Sequence, residues 1–166
     1  MKKILSGFLI LLVLFSSCLK AHDSQTSCNS TYDPCALKAP AAEVDSVEAY
    51  LSSKGIADAV KHCSGMYYKI DSLGTGKTAT ICSVIGVRYT GKLANDTIFD
   101  QQTASAAGFY LNQLIAGFKN GIPLIKEGGS IHLYVPPSLG FGKQQNGKIP
   151  PNSMLIFDVS LVGVQN

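Results

Sequence analysis

From residue 65 onward the chain alternates apolar and polar positions in short runs separated by turn residues. In "VIGVRYTG" Ile85, Val87 and Tyr89 point one way and Gly86 and Arg88 the other. In "SIHLYVPP" Ile131, Leu133 and Val135 share a face. In "MLIFDVSLVGV" Leu155, Phe157, Val159 and Leu161 line one side. Met154, Ile156, Asp158 and Ser160 line the other side, which turns polar toward its end. A period of two is the signature of strands buried on one face, and it makes Asp158 a solvated outward residue. Pro150 and Pro151 remove two backbone donors just before the last run, so pairing cannot begin earlier. "GMYYKID" and "TIFD" are further short strands, set off by "SLGTGK" and "LAND". Short strands with Gly, Asn and Asp turns predict a largely antiparallel sheet.

Two stretches follow the helical period instead. In "DSVEAYLSSKG" Asp45 and Glu48 have capping-box spacing, Gly55 suits a C-terminal stop, and Val44, Val47 and Leu51 fall on one side. In "NQLIAGFKNG" Asn112 is a candidate cap and Gly121 a stop, with Leu114 and Phe118 at i, i+4 and Ile115 beside them. The predicted class is α+β: a curved antiparallel sheet around one short helix, preceded by a short N-terminal helix.

The N-terminus follows a different logic. Lys2 and Lys3 precede eight apolar residues, Phe8 to Phe15, and then "SSC". A charged start, an apolar run too short to span a bilayer and small residues after it predict a cleaved signal over residues 1–17. Cys18, preceded by Leu14-Phe15-Ser16-Ser17, resembles the lipobox of bacterial lipoproteins, in which the cysteine becomes the lipidated first residue. The expected location is the bacterial cell envelope, with a lipid anchor in a membrane on its periplasmic or surface face. Residues 18–43, rich in Ser, Thr, Asn, Ala and Pro, are expected to be a flexible tether, 44–64 a helical lead-in and 65–164 the folded domain.

Loss of residues 1–17 removes two lysines and no acid, leaving 12 basic residues against 11 acidic. No basic stripe remains, which argues against nucleic acid. Cys28, Cys35, Cys63 and Cys82 can oxidise in an exported chain, and four cysteines allow three pairings. Cys28 with Cys35 would close a small loop, and Cys63 with Cys82 would tie the lead-in to the domain. No spacing gives a redox C-x-x-C or a zinc pattern, so neither metal nor cofactor is expected. His62 and His132 have no partner identifiable from the sequence. "GTGKT" lacks phosphate-loop spacing and is a turn. What remains is a supply of aromatic residues near turns: Tyr89, Phe99, Phe109, Phe118, Phe141 and Phe157, with Asp100 directly after Phe99.

The order of those residues is distinctive. "VRYTGKLANDTIFD", "NQLIAGFKNGI", "VPPSLGFG" and "GKIPPNSMLIFDVSLVGV" together resemble the FKBP-type peptidyl-prolyl cis–trans isomerases over roughly residues 65–164. The resemblance implies five or six antiparallel strands wrapped on a short helix, with a shallow apolar pocket between them. It implies that Tyr89, Phe99 and Asp100 form one wall and that Phe109 begins the next strand. Leu114 and Ile115 would line the helix start, Phe118 the floor, Phe141 and Ile149 the loop wall, and Phe157 the back. The Ile115 N–H would hold a substrate carbonyl.

Two positions depart from the family pattern: Phe118 stands where Trp is usual, and Phe141 where Tyr is usual. The missing hydroxyl at 141 would cost one ligand hydrogen bond, about 0.5–1.5 kcal/mol, and lower affinity for macrolide inhibitors accordingly. The implied substrate is an X–Pro segment of an unfolded or partly folded envelope protein. The alternative is a non-catalytic FKBP-like chaperone or peptide-binding lipoprotein.

Overall fold

The computed structural model describes Cys28 and residues 30–166. The expected signal and Cys18 lie outside the described residues. Six strands make one antiparallel sheet in the order β1-β2-β5-β6-β3-β4. They are β1 (Val60–Lys61), β2 (Tyr67–Ser72), β3 (Val84–Leu93), β4 (Ile98–Tyr110), β5 (Ser130–Val135) and β6 (Leu155–Gln165). Helix α1 (Ala41–Ser53) precedes the sheet, and α2 (Ala116–Gly121) lies between β4 and β5.

The alternation read from the sequence is the alternation of burial. Ile85, Val87, Ile131, Leu133, Val135, Leu155, Phe157, Val159 and Leu161 all face one core, together with Phe118 and Ile122. Each fully buried aliphatic or Phe side chain contributes roughly 1.5–3 kcal/mol, so this inner face dominates stability. The opposite face of β6 starts apolar because α1 covers it: Val47 and Leu51 pack on Tyr134 and Ile156. Past the edge of α1 that face turns polar.

Asp158 is not simply solvated. It is half-buried, accepts hydrogen bonds from Lys92 Nζ (2.8 Å) and His132 Nδ1 (2.6 Å), and sits opposite His132 in the β5–β6 register. His132 Nε2 reaches Asp71 at 2.6 Å, and a bulge between Ile70 and Ser72 places Asp71 for this contact. The imidazole thus has two carboxylate partners, supplied by β2 and β6, which local sequence does not reveal. The hydrogen bond from His132, aided by Lys92, holds Asp158 down at about 2 against its burial. Conversely, the bond to Asp158 raises the His132 pKa above its usual value.

Several local expectations shift. Helix α1 begins at Ala41 behind Pro40 and has no side-chain cap, so Asp45 and Glu48 lie within it and form no capping box. Pro is well suited to a helix start because its missing N–H falls among the unbonded first-turn donors. Glu48 instead accepts hydrogen bonds from Lys61 and Tyr67, while Glu43 accepts the Ser138 N–H at 2.8 Å. The C-terminus does stop at Gly55, whose φ of +66° lets Ile56 N–H reach the Leu51 carbonyl and Gly55 N–H the Ser52 carbonyl.

The segment expected as a tether is, from Cys28, a strap bound to the domain. The disulfides join Cys28 to Cys82 and Cys35 to Cys63, the pairing that neither of the two bridges considered from the sequence allows. By loop length each bridge removes about 4 kcal/mol of unfolded-chain entropy. The Ala39 N–H donates to the Ser64 carbonyl at 2.8 Å, and Tyr32 Oη donates to Asn120 Oδ1 at 2.7 Å.

Candidate active site

The site is built where β3, β4 and β6 meet α2. Inward alternation puts Tyr89 of β3 and Phe157 of β6 on the core face. Phe99, at the register irregularity between the Gly91–Asp100 and Lys92–Ile98 pairings, reaches them from the start of β4 because Gly91 has no side chain. A Cβ on Gly91 would lie 2.6 Å from Phe99 Cζ and 3.0 Å from Phe157 Cε1. Phe109 does not begin a new strand. It lies near the end of the same β4, which bulges between its pairings with Val87 and Tyr89 and then returns to the ladder. The bulge re-aims the strand so that both of its ends reach the site.

Helix α2 is shorter than the spacing predicts. Leu111–Gln113 form a 3-10 turn, Ile115 is the N-cap, and regular helix starts at Ala116. Asn112 therefore caps nothing, and its side-chain oxygen is buried without a partner. Leu114 and Ile115 precede the helix and sit half-buried beside the core. Ile115 is extended (φ −58°, ψ 155°) and its carbonyl accepts the N–H groups of Phe118 and Lys119. Its own N–H donates to no backbone carbonyl among the described residues.

The rings meet edge to face. Phe118 contacts Phe157 with centroids 4.8 Å apart and Tyr89 at 6.4 Å, near-perpendicular in both cases. Phe157 meets Phe99 at 5.6 Å, and Tyr89 meets Phe109 at 6.3 Å. Such contacts contribute about 0.5–1.5 kcal/mol each beyond area burial and fix ring tilts. Phe118 and Phe157 are nearly buried, at 6% and 5% exposure, while Tyr89, Phe99, Phe109 and Phe141 are half-exposed. We call this arrangement a bowl: Phe118 and Phe157 are its floor, and the half-exposed rings are its rim. Ile149 is buried in the same core, and Phe141 packs against it from the β5–β6 loop.

One polar pair stands at the rim. Tyr89 Oη donates to Asp100 Oδ2 at 2.6 Å. Burial first, then the bond to Asp100, pushes the Tyr89 hydroxyl up to about 12, so it remains a donor throughout the physiological range. Asp100 itself is exposed. Of the ten residues singled out from the sequence, Tyr89, Phe99, Phe109, Phe118 and Phe157 make this ring set, Asp100 bonds Tyr89 at its edge, and Leu114, Ile115, Phe141 and Ile149 pack with the same core. The bowl holds apolar surface, one carboxylate, one phenol and a free backbone donor. That set suits binding and desolvation of an apolar ring beside a polar amide.

Comparisons with known proteins show the family and the fold. The profile of the FKBP-type peptidyl-prolyl cis-trans isomerase family matches residues 76–162, a little over half the chain, and the chain belongs to that family. A probable FKBP-type isomerase of Haemophilus influenzae is 44% identical over 104 residues, covering 61% of this chain and 43% of that protein. A probable FKBP-type isomerase FkpA of Neisseria meningitidis is 40% identical over 121 residues, covering 70% of this chain and 44% of that protein. The chain thus spans less than half the length of these relatives. Among solved structures, FkpA from Escherichia coli superposes with a TM-score of 0.67 at 31% identity, covering 75% of this chain and 60% of that one. An isomerase structure from Pseudomonas syringae has a TM-score of 0.66 at 24% identity, covering 78% and 98%, and supports the fold alone.

Proposed function

We propose that this chain is a peptidyl-prolyl cis–trans isomerase acting on X–Pro segments of unfolded or partly folded envelope proteins. The carrying observation is the bowl itself: two nearly buried phenyl rings as floor, half-exposed rings as rim, and Asp100 held at the edge by Tyr89.

An X–Pro amide isomerises in tens to hundreds of seconds because resonance must be lost at the top of an ~20 kcal/mol barrier. The planar amide is strongly dipolar and well hydrated, and the twisted amide is less so. A proline ring seated between Tyr89, Phe99, Phe118 and Phe157 strips water from the amide and favours the twisted state relative to the planar one. The Ile115 N–H offers a donor to a substrate carbonyl. Asp100 acts through its charge on the rotating amide, oriented by Tyr89. No bond to the protein forms and no proton is transferred.

The signal-like residues 1–17 and Cys18 support placing the domain at an envelope membrane by a lipid anchor. Phe141 supplies no hydroxyl to a ligand, which supports weaker binding of macrolide inhibitors than in family members with Tyr there. The smaller Phe118 floor favours one second reading, a peptide-holding domain without catalysis. A protease-coupled assay on X–Pro peptides with wild type and Asp100→Val separates the two. Acceleration by wild type, reduced in the variant, supports the enzyme. Suppression of client aggregation with no acceleration supports the holder.

A further inference from the structure

We infer that Tyr32, in the disulfide-bound strap ahead of the domain, is a positioning residue for the isomerase reaction, acting through Asn120 on the roll of α2. The inference rests on the isomerase reading above, since it concerns the floor of that site.

Helix α2 has six residues and no side-chain cap, and a helix that short has no stability of its own. Its contact with β5 is a glycine ridge. A Cβ on Gly117 would lie 2.6 Å from Val135 Cγ2, and one on Gly121 would lie 2.5 Å from Leu133 Cδ2. The Val135 and Leu133 side chains therefore seat in the two glycine notches, and the helix backbone rests on β5 along that one line. At 100° per residue, Phe118 and Asn120 project from opposite flanks of that line, about 200° apart. The ridge is a pivot. Any roll that lifts the Asn120 flank swings Phe118, the floor of the bowl, relative to Tyr89 and Phe157.

Tyr32 resists that roll. Its hydroxyl donates to Asn120 Oδ1 at 2.7 Å, and Asn120 is 3% exposed. Lys119 Nζ lies 5.4 Å from the Tyr32 ring centroid, a second contact between the strap and α2. Burial raises the Tyr32 pKa, with Asp33 adding to it, so the hydroxyl stays a donor. The strap that carries Tyr32 is itself fixed on both sides, by Cys28–Cys82 before it and Cys35–Cys63 after it. The Asn120 side-chain amide nitrogen is buried with no hydrogen-bond partner, so the bond from Tyr32 to Oδ1 is the only side-chain hydrogen bond that holds this Asn among the described residues. The domain thus fixes its catalytic floor from outside the 76–162 stretch that defines the family.

The test is a double-mutant cycle of Tyr32→Phe and Asn120→Ala in the full oxidised chain, reading kcat/KM on an X–Pro peptide and the aromatic ring resonances of the folded protein. Tyr32→Phe keeps the ring and its contact with Lys119 and removes only the hydroxyl. Its kcat/KM is expected to fall about three- to tenfold. Asn120→Ala is expected to fall by a similar factor, and the double variant no further. Ring resonances of Phe118, Tyr89 and Phe157 should shift, while those of Tyr50 and Tyr134 on the opposite sheet face stay. Unshifted Phe118 resonances in folded Tyr32→Phe, or losses that multiply in the double variant, overturn the inference. If wild type accelerates nothing, the isomerase reading fails, and the ring resonances still decide whether Tyr32 sets the position of Phe118.

Discussion

Gly91→Ala adds one methyl group to the back of the bowl. The position lies within β3, paired with Asp100 on one side and Phe157 on the other, at a backbone angle any residue adopts. The substitution therefore acts through space alone. The new Cβ would sit 2.6 and 2.7 Å from two ring atoms of Phe99 and 3.0 Å from Phe157 Cε1. Carbon atoms pack comfortably at about 3.5–4.0 Å, so the Phe99 ring must retreat by roughly 1 Å. Phe99 is half-exposed and can swing outward, which keeps the stability cost near the low end of overpacking, about 1 kcal/mol, or about 2–4 °C in Tm. The same retreat opens the wall proposed to enclose the proline ring. A displacement of ~1 Å in a positioned group can cost about 100-fold in rate, and a loss of 10- to 100-fold in kcat/KM is expected here. The assay is isomerisation of an X–Pro peptide, with thermal unfolding of the same sample. A folded Gly91→Ala protein with wild-type kcat/KM would refute the reasoning, because it would show that the Phe99 wall does not matter to the reaction.

Tyr89→Phe keeps the ring and removes the hydrogen bond to Asp100, so kcat/KM should fall about three- to tenfold with Tm little changed. Unchanged kcat/KM would show that Asp100 needs no orientation. The contribution of the Asp158–His132 pair to thermal stability should be full between pH 4 and 6.5 and fall on both sides. Asp158, depressed from 3.8 to about 2, contributes above pH 3.8 and loses that contribution as pH falls through about 2. His132, raised from 6.5, contributes fully below pH 6.5 and loses that contribution as pH rises through its folded value. His132→Gln should flatten the alkaline limb, which a Tm-versus-pH series checks directly. Because the proposed reaction moves no proton, kcat/KM in D2O should match that in H2O, and a normal isotope effect of twofold or more would point to acid–base chemistry.

The strands were legible because one buried face imposes a period of two, and Val87, Leu133 and Phe157 each obey it. The ring set was legible through the order of four motifs rather than through any single residue. What stayed hidden depends on distant partners. Nothing near His132 announces Asp71 and Asp158, because the register of three strands brings them together. The strap looked like a linker because its composition is polar, yet two disulfides and Tyr32 bind it to the domain. Helix α2 was mispredicted at its start because Asn112 has the chemistry of a cap, while a 3-10 turn carries the chain past it to Ile115. The length of β4 was hidden by its bulge, which breaks the alternation between Phe99 and Phe109.

The central claim is that the set of aromatic rings around Phe118 and Phe157, with Asp100 at its edge, speeds rotation about the X–Pro bond. Exchange spectroscopy on a short X–Pro peptide, with the chain present at a few percent of the peptide, measures that rotation without any coupling protease. Wild type should raise the cis–trans exchange rate well above background, and folded Phe99→Ala should return it close to background. Exchange at the background rate with folded wild type, or undiminished exchange with Phe99→Ala, would contradict the account.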